Sequence, residues 1–195
     1  MDGTANTIVD LRTTLQCVQG NNPRSISFMI QTTSTSDSRI FYTGSQVTYG
    51  AFGVGFNFGS VVNGIIVIDS HNGWYYPTTG KAINDGLWHT VLVTYDGTLL
   101  LIYVDGRLDN TATNWIYGTT ATITSTLNTI GNSVNYLGQW IDGSSNRWVG
   151  KLKNVQFYDY VILNTFSLAN SYQLAGGSIY TSGIYIYNLY FLTLI

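Results

Sequence analysis

The chain has 195 residues, of which 9% are charged and 45% hydrophobic, and its formal net charge is −2. This length suits one domain with its own core. The low charge and the abundance of Gly, Ser, Thr, Asn and Tyr favour strands and tight turns over amphipathic helices. The 8 basic residues are scattered without a run, which argues against nucleic acid as a partner because no basic stripe is present.

The acidic residues and the cysteine content narrow the chemistry further. All 10 acidic residues are aspartates, so the chain lacks Glu, the residue most often tuned as acid or nucleophile in sugar hydrolysis. Cys17 is the single cysteine, which excludes an intrachain disulfide and a site built on several thiolates. Residues 1–4 lack the basic start of a secretory signal, and no signal peptide is visible.

Short segments of alternating apolar and polar residues predict half-buried strands. The first is 26–30, which places Ile26, Phe28 and Ile30 on one face. Turn residues follow one another closely and leave little room for helical crossovers, so almost no helix is expected. Further strands are predicted at 40–43, 52–58, 64–68, 120–124, 128–130 and 149–158.

The strongest strand signal is a hairpin over residues 87–108. Two β-rich runs flank the pair Asp96-Gly97, and these residue types tolerate the positive φ of a tight turn. Asp105 stands before Gly106 at the end of the second run, in the same pattern. We interpret Asp105 and Asp109 as turn formers and not as a catalytic pair of carboxylates.

The final segment, residues 184–195, is aromatic or aliphatic on both alternating faces. A strand of this kind needs cover on both sides. It is too short for a membrane span, which takes about 20 apolar residues, so no span is predicted. It is either the last strand of its own sandwich or a strand shared with a neighbouring subunit. The second alternative puts assembly contacts on Tyr185, Tyr187, Tyr190 and Phe191.

The hairpin motif resembles that of laminin-G-like jelly rolls in the concanavalin A-like superfamily, a family with the pattern G-x-W-H-x-V, then Y-D-G, then Y-V-D-G. The matching residues here are Gly86-Leu87-Trp88-His89-Thr90-Val91, Tyr95-Asp96-Gly97 and Tyr103-Val104-Asp105-Gly106. Segments 2–11, 25–30 and 148–158 are similar to other strands of the family. The resemblance implies an all-β, two-sheet antiparallel jelly-roll sandwich. We expect this sandwich over residues 1–176, followed by a C-terminal β extension at 177–195.

The resemblance also bears on metal and catalytic sites. Some laminin-G-like domains and their pentraxin relatives hold Ca²⁺ in rim loops, so calcium stays open as a cofactor, and Asp37, Asp69 and Asp142 have the right ligand chemistry. No other cofactor is expected. The family uses the Trp at position 88 in its core, and His89 has no nucleophile or second ligand nearby in sequence. No catalytic residue is therefore assigned.

Two segments have the composition of a carbohydrate-binding rim. Aromatic rings stack on sugar faces, while neighbouring amides and carboxylates hydrogen-bond the hydroxyl groups. The alternative is that these rings pack onto the sandwich or onto another subunit. The candidate residues are Trp74, Tyr75 and Tyr76 in the first segment, and Trp140, Asp142 and Asn146 in and beside the second.

Three functions fit these observations. The first is a non-catalytic structural or attachment protein of a large surface assembly, such as a virion capsid or fibre, that uses a lectin-like sandwich for protein or glycan contacts. It predicts a homo-oligomer or larger assembly at a virion or cell surface, and it accounts for the aromatic tail and the missing signal. The second is a secreted carbohydrate-binding module. The third is a glycoside hydrolase, which the absence of Glu disfavours.

Overall fold

The computed structural model describes residues 9–10, 18–57, 64–71, 73–76, 80–109, 116–117, 121–122, 127–131, 134–140 and 146–162. Within these ranges the chain forms thirteen β-strands and no α-helix. The prediction of an all-β chain is therefore confirmed. No helix in these ranges is long and apolar enough to cross a membrane.

The strands lie in two antiparallel sheets and one separate hairpin. The six-stranded sheet has the order β1-β12-β3-β4-β5-β6, the five-stranded sheet has the order β13-β2-β7-β8-β9, and β10 pairs with β11. Strands β3 to β6 follow one another within the first sheet and β7 to β9 within the second, while the chain changes sheet from β1 to β2, β2 to β3, β6 to β7 and β12 to β13. This is the arrangement of the predicted jelly-roll sandwich. The bounds are β1 (Val9–Asp10), β2 (Arg24–Gln31), β3 (Ser38–Gly44), β4 (Ala51–Phe56), β5 (Ile66–Asp69), β6 (Trp74–Tyr75), β7 (Trp88–Tyr95), β8 (Leu100–Val104), β9 (Arg107–Leu108), β10 (Ile116–Tyr117), β11 (Ala121–Thr122), β12 (Val134–Leu137) and β13 (Lys151–Tyr158).

The core lies between the two sheets. Strand β2 contributes Ile26, Phe28 and Ile30, each at most 2% exposed, as its alternation predicts. Burying one such side chain contributes about 1.5–3 kcal/mol, and this stabilisation fixes which side of each strand faces inward. The six-stranded sheet meets them with Phe41, Phe52, Val54, Phe56, Ile66, Ile68 and Leu137.

The predicted hairpin is present, and its turns have the expected chemistry. The carboxylate of Asp96 accepts the backbone N–H groups of Thr98 and Leu99 at 2.8 and 2.6 Å. Gly97 follows with φ 100°, and Asp105 begins the turn between β8 and β9 with φ 50°. The turn-forming role of Asp105 is confirmed.

Two sequence predictions for the strands are wrong. Trp88 is 36% exposed and lies outside the core, with the Lys153 ammonium 4.1 Å from its ring centroid. The reason is alternation along β7: Val91 faces the core, so Trp88, an odd number of residues away, faces outward. The predicted strand at 128–130 is a single bridge between Thr129 and Gly20.

After β13 the chain turns back over the outer face of the five-stranded sheet. Ile162 packs against Leu92 and Tyr158 in a second, smaller apolar cluster, and its N–H donates to the Ser25 hydroxyl at 2.9 Å. The predicted extension at 177–195 lies outside the described residues, together with its assembly candidates. These are Tyr185, Tyr187, Tyr190 and Phe191.

Candidate functional site

A row of directly paired residues crosses the outer face of the six-stranded sheet, the face that points away from the core. Paired residues of antiparallel strands project from the same face, and at least one chain neighbour of each of these residues belongs to the core cluster. We call this set the outer row. The outer row runs from β12 to β6, and Asp10 of β1 pairs with Tyr136 beyond it. Its members, in order across the sheet, are Tyr136 of β12, Tyr42 of β3, Gly53 of β4, Asp69 of β5 and Trp74 of β6.

A buried arginine joins two carboxylates beside the outer row. Arg39 is 2% exposed, and its Nε donates to Asp69 Oδ2 at 3.2 Å while its Nη1 donates to Asp37 Oδ1 at 2.6 Å. The Asp69 side chain is 3% exposed, whereas that of Asp37 is 34% exposed. A buried charge is tolerated when it is paired and hydrogen-bonded, and here the pairing positions Arg39 against β5.

Trp140 packs over the same part of the face. Its ring lies edge-on to Tyr42, with centroids 6.5 Å apart, and the Arg39 guanidinium carbon is 6.0 Å from the Trp140 centroid. Trp140 is half-buried, whereas Tyr42 is fully buried. Within the described ranges, neither the Tyr42 hydroxyl nor the Trp140 indole N–H forms a hydrogen bond of good geometry. Both atoms are buried, and buried polar atoms in this state are commonly satisfied by an ordered water.

Burial governs the protonation of these groups. It raises the pKa of Asp69, against the opposing effects of the Arg39 charge and the His71 N–H. Burial also raises the pKa of the Tyr42 hydroxyl well above its ordinary value; the Asp69 charge adds to this shift and Trp140 opposes it. Tyr42 is therefore a neutral hydroxyl that can donate or accept a hydrogen bond and does not act as a nucleophile.

The structure places most of the predicted rim residues and brings two of them onto one face. Trp74 and Trp140 are both half-buried; Trp74 pairs with Asp69, and Trp140 packs against Tyr42. Tyr76, next to β6, is also half-buried. Tyr75 is 2% exposed and belongs to the core, so for this ring the alternative of packing onto the sandwich holds. The cause is alternation, since Tyr75 follows the outward-facing Trp74.

The remaining candidates also lie close to Arg39 or outside the described residues. Asn146, at φ 50°, accepts the Arg39 backbone N–H at 2.7 Å through its own backbone carbonyl. Asp37 and Asp69, two of the calcium candidates, meet at the Arg39 guanidinium, and the third, Asp142, lies outside the described residues. No group of three or more His, Cys, Asp or Glu in the described ranges could hold a metal ion. Calcium binding stays a prediction.

A second polar cluster, which the sequence did not predict, surrounds His89 at the start of β7. The ring is 4% exposed, with Nδ1 facing Asp105 Oδ2 at 2.8 Å and Nε2 facing Asp85 Oδ1 at 2.9 Å. Lys81 Nζ also donates to Asp105 Oδ2, at 2.6 Å. We call these four residues the His89 clamp. They include no nucleophile, and they tie the segment before β7 to the β8–β9 turn.

Comparison with known proteins places the fold in a family. The model of Laminin_G_3, described as a concanavalin A-like lectin/glucanases superfamily, matches residues 2–165. The chain belongs to this family. The resemblance of its hairpin to laminin-G-like jelly rolls is thus confirmed. No curated protein matches the sequence significantly.

Solved structures agree with a Laminin_G_3 sandwich. Domain 4 of AbnA, a GH43 extracellular arabinanase from Geobacillus stearothermophilus in complex with arabinotriose, is similar at TM-score 0.55 and 14% identity over 79% of this chain and 68% of that one. A putative carbohydrate binding protein from Bacteroides ovatus is similar at TM-score 0.55 and 15% identity, over 76% of this chain and 40% of that one. The NanB sialidase from Streptococcus pneumoniae is similar at TM-score 0.58 and 12% identity, over 84% of this chain and 26% of that one. At these identities the similarity shows the fold alone, and the match spans less than half of each of the last two chains.

Proposed function

We propose that this Laminin_G_3 sandwich is a non-catalytic glycan-binding attachment module whose binding surface is the outer face of the six-stranded sheet. One observation carries the proposal. Trp74 and Trp140 come from separate segments of the chain, yet both are half-buried on this face. Trp74 pairs directly with the buried Asp69, and Trp140 packs against the buried Tyr42. Aromatic rings beside buried polar groups are the usual composition of a sugar-binding surface.

The dimensions of the outer row suit a short oligosaccharide. Neighbouring strands lie about 4.8 Å apart, so the four strand spacings from Trp74 to Tyr136 extend over about 19 Å. Rings occupy both ends of the row, and Tyr136 is half-exposed like Trp74. The ends can therefore stack on sugar rings. The Tyr42 hydroxyl and the Trp140 N–H are buried between them, and they can hydrogen-bond a sugar when the Trp140 ring moves aside.

The polar groups of this face favour binding over hydrolysis. Glycosidases use two carboxyl groups on opposite sides of the scissile bond, one of which donates a proton. Here Asp69 accepts bonds from Arg39 at 3.2 Å and from the His71 N–H at 2.8 Å, and Asp37 is paired with the same arginine. Both carboxylates serve one guanidinium, and neither is placed as an acid opposite the other.

The solved relatives support glycans as the ligand class. One is a domain in complex with arabinotriose and another carries the description of a carbohydrate binding protein. We extend this ligand class to the present chain as part of the proposal. A glycan-binding attachment module acts where glycans are displayed, so we place it outside the cell or on the surface of a particle.

The assembly part of the proposal rests on the sequence of residues 184–195, within the predicted extension at 177–195. A segment that is apolar on both alternating faces needs cover on both sides, and a neighbouring subunit supplies such cover. We therefore propose that the module belongs to a homo-oligomer or a larger surface assembly, with a virion capsid or fibre as the specific candidate. A secreted monomeric module is the alternative, and the mass of the chain in solution distinguishes them.

The binding surface is tested with two tryptophan variants and a matched control. A glycan array and isothermal titration with arabinotriose are applied to the wild type and to Trp74→Ala and Trp140→Ala. Loss of one stacking ring should weaken binding about fivefold to tenfold. Trp88→Ala removes a partly exposed tryptophan from the other sheet and should leave binding unchanged. Equal loss in all three variants, or binding kept in the first two, would refute the assignment of the surface.

A further inference from the structure

We infer that the outer face selects neutral over acidic glycans, because Asp37 is already paired with Arg39, the cation that the carboxylate of an acidic sugar would need. This inference rests on the proposed function and specifies its ligand class. Sialic and uronic acids present a carboxylate, and arginine is the side chain best shaped to bind one. The question is therefore whether the outer face has a guanidinium to offer.

Arg39 is the guanidinium next to the outer row, and its charge is already balanced within the protein. The Asp37 carboxylate accepts a hydrogen bond from Nη1 at 2.6 Å, and the Asp69 carboxylate accepts one from Nε at 3.2 Å. The Trp140 ring lies 6.0 Å from the guanidinium carbon, and only 3% of the Arg39 side chain is exposed. A ligand carboxylate would have to displace one of these two aspartates.

Asp37 is the partner that a ligand would meet. Its side chain is 34% exposed, compared with 3% for Asp69, so it lies at the accessible edge of the cluster. Asp37 thus stands where the carboxylate of an acidic sugar would pair with Arg39, and it repels a second negative charge there. The hydroxyl groups of a neutral sugar can instead donate to Asp37 and meet no such repulsion.

The second cation at this end of the sheet does not reverse the balance. Arg147 bridges Arg39 through its backbone, and it has contacts of its own. Two arginines and two aspartates sum to no excess positive charge, and the outer row itself contains no basic residue. A surface with balanced charges does not attract anions over distance.

The test compares neutral glycans with acidic counterparts on an array and by titration. Glucose is paired with glucuronate, which differs from it only by a carboxylate in place of the primary alcohol, and lactose is paired with 3′-sialyllactose, which adds a whole acidic sugar. In the wild type the neutral member of each pair should bind at least about fivefold tighter, the effect of one like charge at close range in water. Asp37→Asn keeps the side-chain shape and removes the charge. It should raise affinity for the acidic members about fivefold and change affinity for the neutral members less, because the side-chain oxygen of Asn still accepts a hydrogen bond from a sugar hydroxyl. The ratio of acidic to neutral affinity is therefore the quantity compared.

The control and the outcomes separate this inference from the proposed function. Asp159→Asn removes the same charge from an exposed position after β13 and should change neither member of a pair. Tighter wild-type binding of acidic glycans would overturn the inference and leave glycan binding intact, whereas binding of no glycan at all would overturn both. Equal gains in the two variants would assign the effect to net charge and overturn the inference. If Asp37→Asn fails to fold, the wild-type pairs decide.

Discussion

The ring of Tyr42 lies directly over Gly53, its partner on β4. A Cβ atom built on Gly53 would stand 2.7 Å from Tyr42 Cδ2 and 3.3 Å from Asp69 Cβ. The missing side chain thus allows a fully buried aromatic ring to lie across the strand and reach the neighbourhood of Asp69. The polar part of the candidate glycan surface depends on this glycine for its shape.

Gly53→Ala should therefore destabilise the sandwich and weaken glycan binding. The added methyl group forces Tyr42 or β4 to move, and overpacking of a tight site costs about 1–3 kcal/mol. Thermal unfolding measures the loss of stability. The same substitution in a Tyr42→Ala background should cost less because the clashing ring is absent. An equal cost in both backgrounds would show that the Tyr42 contact is not the cause.

Arg24 should contribute more to stability than any exposed arginine. It is 0% exposed, and its guanidinium carbon lies 5.4 Å from the ring centroids of both Phe52 and Tyr95. Its N–H groups donate to backbone carbonyls within residues 18–22 and to the Thr129 hydroxyl. One side chain therefore ties the segment before β2 to the bridge at Thr129.

Arg24→Met should lower the free energy of unfolding by about 2–4 kcal/mol, because buried carbonyl groups lose their donors. Arg24→Lys should recover little of this, since an ammonium lacks the planar array of donors. Urea unfolding gives the values. Arg107→Met, on the exposed strand β9, is the control and should change stability by no more than about 0.5 kcal/mol. Similar losses in the two methionine variants would contradict the structural role of Arg24.

Local signals in the sequence predicted the elements that local chemistry determines. The turn at Asp96-Gly97 and the inward face of Ile26, Phe28 and Ile30 each depend on residues a few positions apart. The errors at Trp88 and Tyr75 have one cause, since both are aromatic residues whose place depends on which side of the strand faces inward. An aromatic ring at the end of a strand can pack in the core or lie on the surface, and the sequence pattern does not distinguish these two placements.

The candidate site was only partly predictable because it depends on register between strands. Trp74 and Trp140 were proposed from composition, but their common face follows from the pairings of Tyr42 with Gly53 and of Gly53 with Asp69. The buried Arg39 was missed altogether. A single charge beside a predicted apolar strand, in a chain with 9% charged residues, is the signal that could have revealed it.

The His89 clamp should make stability depend on pH in the acid range. The hydrogen bond from His89 lowers the pKa of Asp85. Burial alone would raise the pKa of Asp105. The hydrogen bonds from Lys81 and His89 oppose burial, and the net shift of this pKa is downward. Both carboxylates therefore stabilise the fold above the ordinary Asp pKa of about 3.9, and this stabilisation is lost as the pH falls through their lower folded-state values.

Asp105→Asn isolates this effect, because Asn also tolerates the positive φ of the turn. The variant should be less stable than the wild type at neutral pH, and the difference should shrink between about pH 5 and about pH 2. Chemical unfolding at a series of pH values measures it. Burial raises the pKa values of Asp69 and Asp109 and so acts in the opposite sense, which makes the difference between variants more informative than one curve. The Asp159→Asn control should show a difference that does not vary with pH; a constant difference for Asp105→Asn as well would contradict the clamp.

Deletion of residues 178–195 should abolish oligomers and leave the sandwich folded. The deleted segment contains residues 184–195, which are apolar on both alternating faces and need a neighbour for cover. The two apolar clusters described above are formed by residues up to position 162. Light scattering of the full chain and the truncated chain, with and without EDTA, gives their masses.

A large particle or fixed oligomer for the full chain and a folded monomer for the truncated chain support assembly through the tail. Loss of the oligomer on chelation would indicate calcium in the contact. A truncated chain that is folded and still oligomeric would place the subunit contacts on the sandwich itself, and a monomeric full chain would favour the secreted binding module.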